Sequence, residues 1–155
     1  MKKMILLILI LGITRILPAP GFAKLIIVEA ERIQPYEKIW KATCMVESGN
    51  NPFAVGDKNL KDHSYGIVQI RMARLNDYYN KTGVRYNERD MFDPIKAKEV
   101  YLFYAMQFSH WDIKSISCEW NAGPNWKKVK SVNKYYLKIQ YEINIINKRA
   151  VYKSR

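Results

Sequence analysis

The stretch Ile39-Trp40-Lys41-Ala42-Thr43-Cys44-Met45-Val46-Glu47-Ser48-Gly49 decides the fold. Its first nine residues predict a helix that is apolar on most of its circumference, and Gly49 supplies a left-handed stop. Beneath Glu47 at helical spacing stand Cys44, Thr43, Trp40 and Tyr36, whereas Lys38 and Lys41 mark the wet face. Glu47 therefore falls on the apolar stripe, in the last turn. Burial disfavours its charged form, and so does the negative end of the helix dipole. Both raise its pKa, and a carboxyl still protonated near neutral pH is what a general acid requires. A glutamate at a frayed helix end would face solvent instead, so the rest of the chain has to decide.

A chain of 155 residues holds one domain with a proper core and little beside it. Hydrophobic content of 48% and aromatic content of 13% belong to a globular protein, not a disordered one. The formal charge of +12 favours polyanions, either a membrane surface or an acidic cell-wall polymer. Nucleic acid is not expected, because no RNP-like, zinc-finger or basic-zipper pattern occurs. Lys2 and Lys3 precede the apolar run Met4 to Ile13, and Pro18-Ala19-Pro20-Gly21-Phe22-Ala23 follows. That pattern predicts a signal peptide over 1–23, cleaved after Ala23, and export to the periplasm or cell envelope. The run is too short to span a bilayer, which takes about 20 residues. An uncleaved anchor reaching Ile16 and Leu17 past Arg15 is the alternative. Residues 24–155 are then one domain, expected as a monomer.

Cys44 and Cys118 both lie in apolar helical segments. They are either paired across two helices or left as buried free thiols. Neither fits a CxxC or Cys/His metal pattern, and His63 and His110 are too few and too scattered for a metal, so no metal or other cofactor is expected.

Along the chain, Leu25 to Ile33 has helical spacing, and Pro35 opens the central helix. Asn50-Asn51-Pro52-Phe53 makes a turn, followed by a polar segment to Ser64 that holds a loop or small hairpin. Ile67 to about Lys81 predicts a helix stopped by Gly83. Asp93-Pro94 starts another that runs to about Ser109, with Ala97, Val100, Tyr101, Tyr104, Ala105 and Phe108 along one stripe. Asp112 caps the next, which ends at Ala122-Gly123-Pro124. A last helix covers about Lys134 to Ala150, with Tyr135, Ile139, Ile143 and Ile146 on one side. The fold class is mainly α: a helical bundle around a central apolar helix ending in Glu47, with a small loop or hairpin lobe.

Four blocks then align with one family in order and spacing. They are Glu47-Ser48-Gly49 with Asn51-Pro52-Phe53-Ala54-Val55; Ser64-Tyr65-Gly66-Ile67-Val68-Gln69-Ile70; Phe92-Asp93-Pro94 with Tyr101-Leu102; and Trp120-Asn121-Ala122-Gly123-Pro124. Tyr135-Tyr136-Leu137-Lys138-Ile139 is a weaker fifth. Together they resemble the soluble-type lytic transglycosylases (SLT domain), lysozyme-like relatives of goose-type lysozyme. The resemblance implies an α+β lysozyme-like fold and cleavage of the β-1,4 bond between N-acetylmuramic acid and N-acetylglucosamine in peptidoglycan. It implies that Glu47 protonates the glycosidic oxygen, the sugar's 2-acetamido group stabilises the cationic centre, and Glu47 then takes the O6 proton as a 1,6-anhydro ring closes. It assigns Ser48 and Gln69 to the sugar amide, Gly66 to close backbone approach at the cleft, and Asn121 to the loop beside Glu47. Tyr65, Trp120 and Tyr135 become candidate walls of sugar subsites. A domain of this size fits one that opens wall gaps for a secretion, conjugation or phage apparatus.

Val68 stands where the family usually has Met, and Trp120 replaces the usual Tyr, which removes a phenolic hydroxyl. Two alternatives stay open. Asp57 or Asp62, in the loop behind the central helix, could activate water roughly 6.5–9.5 Å from the acid and make the chain a goose-type lysozyme. A noncatalytic peptidoglycan-binding protein would use the same cleft without cutting.

Overall fold

The computed structural model describes residues 36–108 and 112–153. The expected signal peptide, the helix at 25–33, Pro35 as helix opener, Ser109 and His110 lie outside them.

The central helix α1 runs Glu37–Ser48 and buries Ile39, Trp40, Ala42, Thr43 and Cys44. Its apolar stripe is wide because α5 (Val132–Lys153), α4 (Ile113–Ala122) and α3 (Pro94–Phe108) cover it from several sides. Trp40, Tyr101 and Trp120, one from each of α1, α3 and α4, pack in sequence with tilted and edge-to-face rings, centroids 5.3 Å and 4.8 Å apart. Each such side chain taken out of water contributes about 1.5–3 kcal/mol. Thr43 and, on α4, Ser117 are polar residues buried here. The Thr43 hydroxyl donates to the Ile39 carbonyl at 2.8 Å and meets the Tyr101 hydroxyl at 3.1 Å, and the Ser117 hydroxyl donates to the Ile113 carbonyl at 2.6 Å, so neither is orphaned. Gly49 ends the helix as expected, at φ 63° and ψ 31°, with its N–H on Met45 O and the Asn50 N–H on Cys44 O.

Behind α1 the chain folds a small antiparallel sheet, β1 (Val55–Gly56), β2 (Ser64–Tyr65) and β3 (Ile70–Arg71), in that order. Val55 pairs with Tyr65, and Ser64 with Arg71. The hairpin alternative for the polar segment is thus the one realised. The expected helix from Ile67 is corrected here: its first five residues form a turn and β3, and helix α2 covers only Met72–Thr82. Gly66 and Gln69 both adopt positive φ, at 77° and 56°, which no right-handed helix accommodates. The Met72 N–H, at the new helix start, donates to Asp62 Oδ1 at 3.1 Å.

Gly83 stops α2 at φ 76°. A 3-10 segment, Glu88–Phe92, follows inside a capping box built by Asn87 and Asp90, a local element the sequence reading did not include. Asp93 accepts the Ile95 N–H at 2.8 Å and opens α3 at Pro94, and Asp112 accepts from Lys114 and Ser115 to open α4. Ala97, Val100, Tyr101 and Ala105 of the expected α3 stripe are buried, while Tyr104 is half-buried. Helix α5 begins two residues before Lys134 and extends past Ala150. The architecture is mainly α with a small lobe, as the pattern predicted; that the lobe has three strands was not predicted.

Gly66 and Gly83 separate two costs. Both occupy the left-handed region, where a side chain costs about 1–2 kcal/mol. A methyl at Gly83 meets open space, whereas one at Gly66 collides with the Met91 carbonyl oxygen, which is backbone and cannot swing away. Gly83→Ala should lower unfolding free energy by about 1–2 kcal/mol, and Gly66→Ala by clearly more, as measured by urea denaturation of the two variants.

Candidate active site

A cleft of about 900 Å³ lies between the three-stranded lobe with α2 on one side and α3 with the end of α4 on the other. Glu47 reaches it from the last turn of α1. The Tyr135 hydroxyl, delivered by α5, donates to Glu47 Oε1 at 2.6 Å. Removal from water raises the Glu47 pKa above its ordinary value; the Tyr135 hydrogen bond and the Arg74 and Lys138 charges pull it down, and Asp57 pushes it up. Burial wins, as the apolar stripe predicted. Burial and the neighbouring carboxylate push the Tyr135 hydroxyl well above the usual phenol range, so it remains a donor throughout the physiological span.

Arg74 is the cleft residue the sequence reading missed. It leaves α2 with its guanidinium 4.1 Å from the Trp120 ring centroid and 5.0 Å from that of Tyr104, and Nη2 donates to the Trp120 carbonyl at 2.9 Å. Burial lowers its pKa, yet a guanidinium holds its charge at any physiological pH. A fixed cation thus lines the same cleft as the carboxyl. Its signal was positional: Arg74 directly precedes Leu75 and stands one turn before Tyr78, the two buried residues of α2, so it borders the buried stripe. Ser64 was missed as well. It is buried on β2, lines the cleft, and donates to Gln69 Oε1 at 2.7 Å.

The other candidates divide. Gln69 lines the cleft, but its amide is committed within the lobe: Oε1 accepts from Ser64, and Nε2 donates to Gly66 O at 2.9 Å and Ala54 O at 3.3 Å. It is a rigid wall, not a free sugar-amide partner. Trp120 is buried and forms the floor under Arg74. Asn121 is exposed at the rim, next to Ala122, Gly123 and Pro124.

Three expected contacts fall elsewhere. The Ser48 hydroxyl lies 2.8 Å from the Ile67 carbonyl and 3.2 Å from that of Cys44, tying α1 to the lobe away from the cleft. Tyr65 packs its ring against Phe92 and His63, because alternate residues of a strand face opposite sides and its neighbour Ser64 takes the cleft side. Gly66 is required by close approach to Met91, not to a ligand.

Of the two loop carboxylates, Asp62 serves the Met72 N–H and does not line the cleft, which removes it as an activator of water. Asp57 does line it, at φ 53°, and the Arg71 guanidinium at 2.8 Å holds its carboxyl below the usual range. Cys44 and Cys118 are buried free thiols, and burial pushes Cys44 up to about 12.

No protein-family model and no functionally curated protein matches this chain. The fold is similar to that of a chain in the crystal structure of Aeromonas hydrophila PliI in complex with Meretrix lusoria lysozyme. The TM-score is 0.55 at 20% identity, covering 68% of this chain and 88% of that one. At that identity the likeness is one of fold.

The raised Glu47 pKa has a thermodynamic consequence. Above the ordinary value of 4.5, unfolded molecules lose this proton while folded ones retain it. Stability therefore falls as pH rises from there to the raised value, then levels off. Glu47→Gln keeps an acceptor for Tyr135 and removes the penalty. Its melting temperature should gain on wild type between acid and neutral pH, and calorimetry across that range reads the widening gap.

Proposed function

We propose that this chain is an exported peptidoglycan lytic transglycosylase with Glu47 as acid and then base. The observation that carries the reading is a carboxyl whose burial favours the protonated form, hydrogen-bonded by Tyr135 and open to a cleft large enough for sugar rings. The four sequence blocks that resemble the soluble-type transglycosylases supply the substrate class, and a fold shared with a chain of a lysozyme-containing complex is compatible with it.

The local chemistry suits a group with two turns of duty. In the first step Glu47 gives its proton to the glycosidic oxygen. The carboxylate left behind is held by the Tyr135 hydrogen bond and the Arg74 charge, so it survives long enough to accept the O6 proton. Too little burial would leave no proton to give; too little compensation would leave an anion too costly to form.

A second reading is favoured by one feature, Asp57 on the same cleft, kept ionised by Arg71 and therefore suited to activate water. Products discriminate. Digestion of purified peptidoglycan should release muropeptides with anhydro ends, and Glu47→Gln should slow release about 10²–10⁴-fold. Hydrated reducing ends by mass spectrometry would assign the chain to hydrolysis through Asp57, and no release from wild type would make it a binder.

Tyr135→Phe and Arg74→Gln each delete a group that lowers the Glu47 pKa. Both variants should be slower at their optimum, about tenfold for a positioned hydrogen bond or charge. In both, the alkaline limb of the pH–rate profile should move to higher pH, because the acid stays protonated longer. An unmoved limb would show that neither group acts on the carboxyl.

A further inference from the structure

From Ile113 to the C-terminus the sequence has two acidic side chains, Glu119 and Glu142, against ten Lys and Arg. Among the described residues, the ion pairs between side chains whose partners are both placed join residues between Glu37 and Lys98. Lys127, Lys128, Lys130, Lys134 and Lys138 are all exposed, and none has a carboxylate at ion-pair distance among the described residues.

Helix α5 adds an apolar component beside Lys134 and Lys138. Its core face is set by Val132 and Ile139, both fully buried, and by Tyr135, which reaches Glu47. The opposite face carries Lys134, Leu137, Lys138 and Tyr141 within two turns, and Tyr152 further along. Leu137, Tyr141 and Tyr152 are 63%, 65% and 79% exposed. With Val46 of α1, the Leu137 and Tyr141 side chains line a shallow groove that also holds two cations, Lys134 and Lys138, against one carboxylate, Glu142.

We propose that this outer face of α5 is a docking surface for an anionic lipid bilayer. A dissolved polyanion would pair with the lysines but leave Leu137 and the two tyrosines in water. A bilayer surface satisfies both: leucine and tyrosine rings enter the interfacial zone while lysine stems lie along it and their ammonium groups reach the phosphates. No helix among the described residues is long and apolar enough to cross a membrane. The groove and the cleft share no lining residue, so a docked molecule keeps its cleft open.

The test is cosedimentation of the full chain with vesicles of phosphatidylcholine alone or with about one third phosphatidylglycerol. Wild type should partition onto the anionic vesicles at least about tenfold better, and lose that preference at high salt. Lys134→Gln/Lys138→Gln should lower partitioning on anionic vesicles about thirtyfold at low salt, and Leu137→Ala/Tyr141→Ala about tenfold. The exposed positions keep the core intact, which a thermal melt verifies. The apolar run at 4–13, with Lys2, Lys3 and Arg15 beside it, adds a background common to all variants, so the differences between variants carry the test. Equal binding to both vesicle types would overturn the proposal. So would binding that needs the lysines but ignores Leu137→Ala/Tyr141→Ala, with matching capture on heparin, which would assign the face to a dissolved polyanion. This test does not depend on whether the cleft cuts glycan.

Discussion

The hydrogen bond from Tyr135 to Glu47 joins residues 88 positions apart and fixes the last turn of α1 against the first turns of α5. Most of what makes the cleft useful depends on it. Burying a carboxyl without a partner is costly, and burying it with one donor leaves an acid whose pKa is raised by desolvation and tempered by that donor. The bond also fixes orientation: Oε1 is occupied by the phenol, which leaves the second oxygen as the one with a free edge. Gly49 contributes by stopping α1 one residue past Ser48, so that Glu47 ends in the cleft wall and not inside a longer helix.

Around this carboxyl the charges are arranged to oppose burial without cancelling it. Arg74 is held off by its own commitments to Trp120 and Tyr104, and acts as a fixed charge, not as a salt-bridge partner. A direct ion pair would have locked Glu47 in its ionised state. Asp57 raises the proton affinity slightly and is itself tied to Arg71, an exposed pair of the kind that adds little to stability. The cleft thus spends its electrostatics on one proton.

What the sequence made legible was local. The central helix, its glycine stop, the Asp93-Pro94 and Asp112 starts and the Gly83 end all depend on residues within one turn of each other, and all are realised. The burial of Glu47 was legible because helical spacing places it over Trp40 and Cys44. The lobe was not, because Ile67 to Arg71 has helical spacing but pairs with β2, and pairing partners are not written in a window of eleven residues. The same limit affected the site. A block such as Ser64 to Ile70 marks residues that belong together without saying which side each faces, so Tyr65 and Gly66 were expected at the cleft and Ser64 was overlooked. Arg74 depends on rings contributed by α3 and α4, which no local pattern announces.

The internal commitments of the lobe carry a further consequence for selectivity. Ser64 and Gln69 satisfy one another, and the Gln69 amide also closes onto Ala54 and Gly66, so that wall presents a preformed surface with few adjustable groups. Rigid walls position a ligand by shape, and ordering them costs nothing at binding. The adjustable polar edge lies opposite, at the exposed Asn121. Arg74 lies deeper and keeps donors beyond the one given to Trp120. Discrimination between ligands by hydrogen bonding therefore belongs to Asn121 and Arg74, and the strand wall selects by shape. Trp120, which carries no hydroxyl and lies buried beneath Arg74, passes that task to its neighbours.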